Sequence, residues 1–190
     1  PEAMARVQLY LNTARMRRRV EERFVARGPI LLPQIRLVTD IASDPSLGLP
    51  PQISPLRRRL ELAQLVTGLL KAQPRLAPRA AVYDLADSLA RLMEEMQGEG
   101  VAPEDLAALD VSGHSAHWAR TQSFLGIIAG QFTPEAGDPS QRRAVELLAA
   151  RWNQTPPDHP VIIAGSTGSR GTTALFMQLV ARLPQGAVVL

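Results

Sequence analysis

The segment Pro160–Leu190, PVIIAGSTGSRGTTALFMQLVARLPQGAVVL, constrains the fold more than any other part of the chain. Val161–Ala164 is a short apolar run of the kind that forms a buried parallel strand. Gly165-Ser166-Thr167-Gly168-Ser169 then turns the chain into an amphipathic helix, and Ala187–Leu190 begins a second buried strand. A strand–loop–helix–strand unit of this kind is the building block of nucleotide-binding α/β domains. A parallel sheet is therefore expected, with the glycine-rich loop at its carboxyl edge.

A chain of 190 residues, 45% of them hydrophobic, can build one sizeable core, or one core with a helical insertion. No apolar run approaches the roughly 18 residues needed to span a membrane. The first residues, PEAMARVQ, carry no signal-peptide pattern. The absence of cysteine excludes disulfides, thiolate metal sites and iron–sulfur clusters from this segment. A cytoplasmic bacterial protein without membrane contact is expected. Of 21 basic residues, Lys71 is the only lysine, an arginine bias that a high-GC genome explains most simply. The net charge of +3 is too modest to argue nucleic-acid binding by itself. The missing initiator methionine and a chain end inside Val188-Val189-Leu190 lead to the expectation of a piece of a longer protein.

Along the chain, Val7–Leu11 reads as a strand. Asn12 or Thr13 can cap a helix running to about Ala26 and closed by Gly28-Pro29. Ile30–Leu32 and Ile35–Val38 are apolar and β-rich, interrupted by Pro33, and Asp44–Pro55 is a proline-rich loop. Ser54-Pro55 starts a helix with Leu62, Leu65, Val66 and Leu69 at helical spacing. A second helix from about Arg79 to Gln97 carries Val82, Leu85, Ala86, Leu89, Leu92, Met93 and Met96 and ends at Gly98. A third is expected over about His114–Phe132, with Trp118, Thr121, Leu125, Ile128 and Phe132 on one stripe. A fourth opens with Asp138-Pro139-Ser140-Gln141, a capping-box pattern, and runs to Trp152. The expected organisation is α/β over 1–53, an all-α insertion over 54–155 and a return to the α/β core over 156–190.

The candidate chemistry begins with the loop Gly165, Ser166, Thr167, Gly168 and Ser169. Glycine-rich backbone between a strand and a helix can present N–H groups to an anion. A P-loop, however, needs four residues between its glycines and then Gly-Lys-Ser/Thr. Gly165 and Gly168 are three apart and no lysine follows. A tight turn with a Ser/Thr cap and an occupied anion site both stand. The second would suit an α/β enzyme that binds a phosphorylated small molecule. No acid ends the 161–164 strand, and Asp40, after Ile35–Val38, reads as a cap or turn residue rather than a magnesium ligand. His114 and His117, near Trp118, lack the further ligands a zinc site needs. Lys71 has no acid two residues before it, which excludes carboxylate–lysine nuclease chemistry here, and the loop misses the nucleophile-elbow spacing. Five arginines, Arg15, Arg17, Arg18, Arg19 and Arg23, share one helix, with Arg15, Arg19 and Arg23 on one face. They could meet a phosphate backbone. Glu21, Glu22 and Glu61 offer the plain alternative of ion-paired, solvated faces for these and for Arg57–Arg59.

Several segments, taken in order, resemble the N-terminal region of the AddB family in its alphaproteobacterial form. They are VQLYLNTARMRRRVEERF, ILLPQIRLVTDI, HWARTQSFLGII, RRAVELLAARW and the AGSTGS loop through LPQGAVVL. AddB proteins are the partner subunits of AddA/AddB helicase–nucleases in double-strand break repair. The resemblance implies a degenerate superfamily-1 helicase core, with the phosphate-loop strand upstream of residue 1. It also implies an AddA-like helicase partner in a heterodimer, single- or double-stranded DNA as substrate, and ATP with magnesium and an iron–sulfur cluster elsewhere in the parent. No catalytic residue carries over: where working helicases bear magnesium-binding acids, this chain has Ala164-Gly165-Ser166.

Overall fold

The strands β1 (Gln8–Leu11), β2 (Gln34–Leu37), β3 (Val161–Ala164) and β4 (Gly186–Val189) form one four-stranded sheet in the order β2-β1-β3-β4, every pair parallel. The computed structural model describes residues 2–51, 53–102, 105, 124–127, 129 and 141–190. The register pairs Tyr10 with Arg36 on one side and Ile163 on the other, and Ile163 with Val188. Alternate residues point to opposite faces, so Tyr10, Ile163 and Val188 share a face. That face meets α5 (Gln141–Gln154) and α6 (Gly171–Ala181) in a core that includes Val145, Leu148, Phe176 and Val180. Phe176 is fully buried and meets the Tyr10 ring edge-on, centroids 4.9 Å apart.

Helix α2 (Ala14–Val25) packs on β1 and β2. Thr13 caps it, its hydroxyl accepting from the Met16 N–H at 3.2 Å. A short helix, α1 (Glu2–Arg6), precedes β1, and sequence periodicity gave no sign of it. Ile30–Leu32, expected to be β-like, stays outside the sheet and exposed, because pairing starts only after Pro33, where the Gln34 N–H bonds to Val7 O at 2.8 Å. After β2 the chain tightens into a 3-10 segment, Val38–Ser43, that buries Val38, Ile41 and Ala42.

The chain divides into two compact units, Pro1–Leu49 with Pro139–Leu190, and Pro50–Asp138. The first boundary falls between Leu49 and Pro50. The second lies earlier than residue 155, because α5 belongs with the sheet: Ala144, Val145 and Leu148 are buried in the sheet's core. Gln141 Nε2 also donates to Val38 O at 2.6 Å, joining the start of α5 to the 3-10 segment.

Within the second unit, α3 (Pro55–Ala72) and α4 (Val82–Glu99) pack against each other. Ser54 caps α3 by accepting from the Arg57 N–H at 3.3 Å, with Pro55 in the first position. The buried stripe of α3 is Leu62, Ala63, Val66 and Leu70; Leu65, expected inside, is exposed. In α4, Ala86, Leu89, Met93 and Met96 are buried as the spacing predicts. The helix passes through Gly98 and stops at Gly100, whose φ of 73° gives the left-handed cap. Phe124, Leu125 and Ile127 join this core. The expected residues His114, His117, Trp118, Thr121, Ile128, Phe132 and Asp138–Ser140 lie outside the described residues.

Candidate functional site

In the order β2-β1-β3-β4, the chain leaves β1 toward one edge of the sheet and leaves β3 toward the other. Ligands of open parallel sheets bind where adjacent strands part in this way, at their carboxyl ends. Here that position brings Asn12-Thr13 and the start of α2 beside the loop after β3. The sequence identified this loop; nothing in it signalled that α2 stands next to it.

The loop runs from Gly165 to Arg170, and α6 begins at Gly171. Gly165 and Gly168 have φ of +74° and +67°, a left-handed region that side chains with a Cβ resist. Both glycines also sit against methionines. A Cβ on Gly165 would lie 2.6 Å from Met16 Cε, and one on Gly168 would lie 3.1 Å from Met177 Sδ. The Gly165 N–H donates to Val189 O at 2.9 Å, extending the sheet ladder. The Gly168 N–H points to the buried Ser166 hydroxyl at 3.4 Å. Thr167 and Ser169 are exposed. No Ser or Thr caps α6: the capping position is Arg170, whose side chain makes no cap bond.

Two of the loop's N–H groups are thus committed internally, and the Met16 thioether takes the space a Cβ on the exposed Gly165 would need. Residues 160–190 contain no Lys, Asp or Glu. Magnesium needs oxygen donors and a bound triphosphate needs a cation over its outer phosphates. The residues present do not fit Mg-ATP. Asp40 serves the 3-10 segment instead, its carboxylate accepting from the Leu37 N–H at 3.1 Å. Among the described residues no three His, Asp or Glu side chains gather as metal ligands.

The arginines of α2 separate into two sets. Arg18 pairs with Glu22 at 3.2 Å and Arg17 with Glu21 at 4.0 Å. Arg15, Arg19 and Arg23 are exposed, and they form no ion pair among the described residues. They repeat every four residues, about 6 Å apart along the axis, beside the half-buried stripe Met16, Val20 and Phe24. On α3, Arg57 pairs with Glu61 at 2.7 Å and Arg59 with Asp87 at 2.7 Å.

A polar cluster that sequence reading missed joins β1, β2, the 3-10 segment and a second 3-10 turn, Pro45–Leu47. The Arg36 guanidinium donates to Asp44 at 2.9 Å, and Asp44 also accepts from the Ser46 N–H at 3.0 Å. Burial works to raise the Asp44 carboxyl, but the Ser46 bonds and Arg36 hold it below its ordinary value. Burial pushes the Tyr10 hydroxyl up, with Arg36 opposing and Asp44 adding to the effect. The sequence signal was only the Asp-Pro-Ser turn chemistry at Asp44.

The molecule defined by these features is an α/β protein with an all-parallel four-stranded sheet and a helical unit between β2 and α5. No helix among the described residues is long and apolar enough to cross a membrane. No protein-family model matches the chain, and no curated protein matches it.

Proposed function

We propose that this chain is a non-catalytic, helicase-like domain of an AddB-type subunit, serving as scaffold and DNA-end handler in double-strand break repair and recombination. Its partners in this reading are an AddA-like helicase and the phosphate backbone of DNA. The observation that carries the reading is the exposed Arg15–Arg19–Arg23 stripe, left without carboxylate partners among the described residues while its neighbours Arg17 and Arg18 are paired. The parallel sheet, and a carboxyl-edge loop with neither lysine nor acid, support the non-catalytic part. The internal bonds of the Gly165 and Gly168 N–H groups count against a phosphorylated small-molecule ligand at the same loop.

The test is DNA binding as a function of salt. Every phosphate that the protein neutralises adds about 0.9 to the steepness of log affinity against log salt on duplex DNA. Arg15→Ala, Arg19→Ala and Arg23→Ala together should make that dependence shallower by about 2 to 3, whereas Arg17→Ala with Arg18→Ala should barely change it. An equal effect from both sets, or no binding by the unaltered chain, would overturn the DNA role. ATP turnover that disappears in Ser166→Ala or Thr167→Ala would overturn the non-catalytic role.

A further inference from the structure

The helical unit carries an open groove of about 730 Å³ between α3 and α4. Leu60, Ala63 and Val82 give it an apolar floor. Gly68 opens a notch in its wall: a Cβ placed there would meet nothing within 4 Å. Leu56 and Leu60, one turn apart on α3, are 65% and 48% exposed and carry the apolar surface toward the start of the helix. From Leu60 to Lys71 the groove follows about 16 Å of α3, or three helical turns.

The rim is cationic. Lys71 and Arg79 line the groove, and neither has an ion pair among the described residues. Among the lining residues these two cations face no carboxylate. Tyr83, 54% exposed, stands at the edge with the Arg59 guanidinium 5.3 Å from its ring centroid. Arg59 is in turn fixed by Asp87. Apolar lining at one end, from Leu60, Ala63 and Val82, passes through the polar Gln64 and Thr67 to two cations that have no ion pair among the described residues, an arrangement that matches an amphipathic helix with apolar anchors and acidic flanks. Single-stranded nucleic acid fits less well, since it needs a run of aromatic stacking surfaces, and among the described residues the groove offers Tyr83 alone, with one ring face occupied by Arg59.

We infer that the α3–α4 groove is a docking site for an acidic amphipathic helix of a partner protein, seated on Leu60, Ala63 and Val82 and held by Lys71 and Arg79. This inference does not rest on the DNA-repair reading.

The probe is a fluorescein-labelled helical peptide of about 18 residues, leucines at i, i+3, i+4 and i+7 and glutamates elsewhere, read by anisotropy with the full chain. Saturable binding should weaken at least about tenfold in Gly68→Leu, whose side chain projects into the groove, and in Lys71→Glu with Arg79→Glu. Circular dichroism should show both variants folded, leucine being a better helix former than glycine. A peptide with lysine replacing each glutamate should not bind. Four results would overturn the inference: no binding of the acidic peptide, equal binding of both peptides, undiminished binding to a folded Gly68→Leu chain, or displacement of the peptide by single-stranded DNA. A concentration-dependent dimer in sedimentation that Gly68→Leu abolishes would assign the groove to a second copy instead, and would also overturn it.

Discussion

At Gly165 two constraints coincide on one residue. Its φ of +74° disfavours any side chain, and the space a Cβ needs holds the Met16 thioether. Gly165→Ala is expected to cost about 2–3 kcal/mol, from left-handed strain together with displacement of Met16. Urea denaturation checks the loss, and adding Met16→Ala should return part of it as a coupling between the two positions. The sequence marked Gly165 as a turn residue through its place between an apolar run and a helix. Met16 left no such mark, because its approach to Gly165 joins residues about 150 positions apart in the chain. The arginines divide along the same line. Pairing at i, i+4, as between Arg18 and Glu22, was legible from spacing. The isolation of Arg15, Arg19 and Arg23 depends on what the fold brings near α2.

The 3-10 segments after β2 show what an element can hide from sequence. Asp44-Pro45-Ser46 reads as a loop, and the loop chemistry is real: Asp44 caps the turn through the Ser46 N–H. Its second partner, Arg36, sits on β2, and the pair ties the segment to the sheet. The Asp44 carboxyl is held below its ordinary value of 3.8. Its charged form therefore stabilises the fold fully above that value, and the contribution fades as pH falls through the lower folded value. Asp44→Asn keeps an oxygen for the Ser46 N–H but removes the charge and puts an NH2 where the second oxygen accepts from Arg36. Thermal melts between about pH 6 and 3 should show a shallower loss of stability on acidification in this variant than in the unaltered chain. A parallel decline in both would remove Asp44 from the account. Among helices, the caps at Thr13 and Ser54 were legible because capping acts within three residues. The end of α4 was not, because Gly98 and Gly100 both look like stops, and only Gly100 takes the left-handed conformation.

For the whole molecule, the informative fact is where the chain leaves the sheet and where it returns. The departing 3-10 segment and the returning helix α5 touch: Gln141 reaches Val38 O, and Arg151 Nη1 donates to Ser46 Oγ at 3.2 Å. Both flanks of the helical unit are therefore anchored inside the α/β unit. Replacing residues 50–138 by a short flexible linker should leave that unit folded. Near-UV circular dichroism of Tyr10, Trp152 and Phe176, which pack together, reports the outcome. A vanished near-UV signal would mean that the sheet depends on the insertion. The sequence by itself determined the strand–loop–helix–strand ending, the parallel character of the sheet, the caps at Thr13 and Ser54 and the apolar stripe of α4. Each of these follows from interactions within about four residues or from a simple period of 2 or 3.6. The tertiary structure alone decided that β1 lies beside β3, that α5 belongs to the sheet's core and that Met16 sits against Gly165. It also decided which arginines of α2 have no ion pair among the described residues, and where α3 and α4 leave a groove. These features depend on which distant faces find each other, and chain entropy and shape complementarity select that pairing without leaving a local mark.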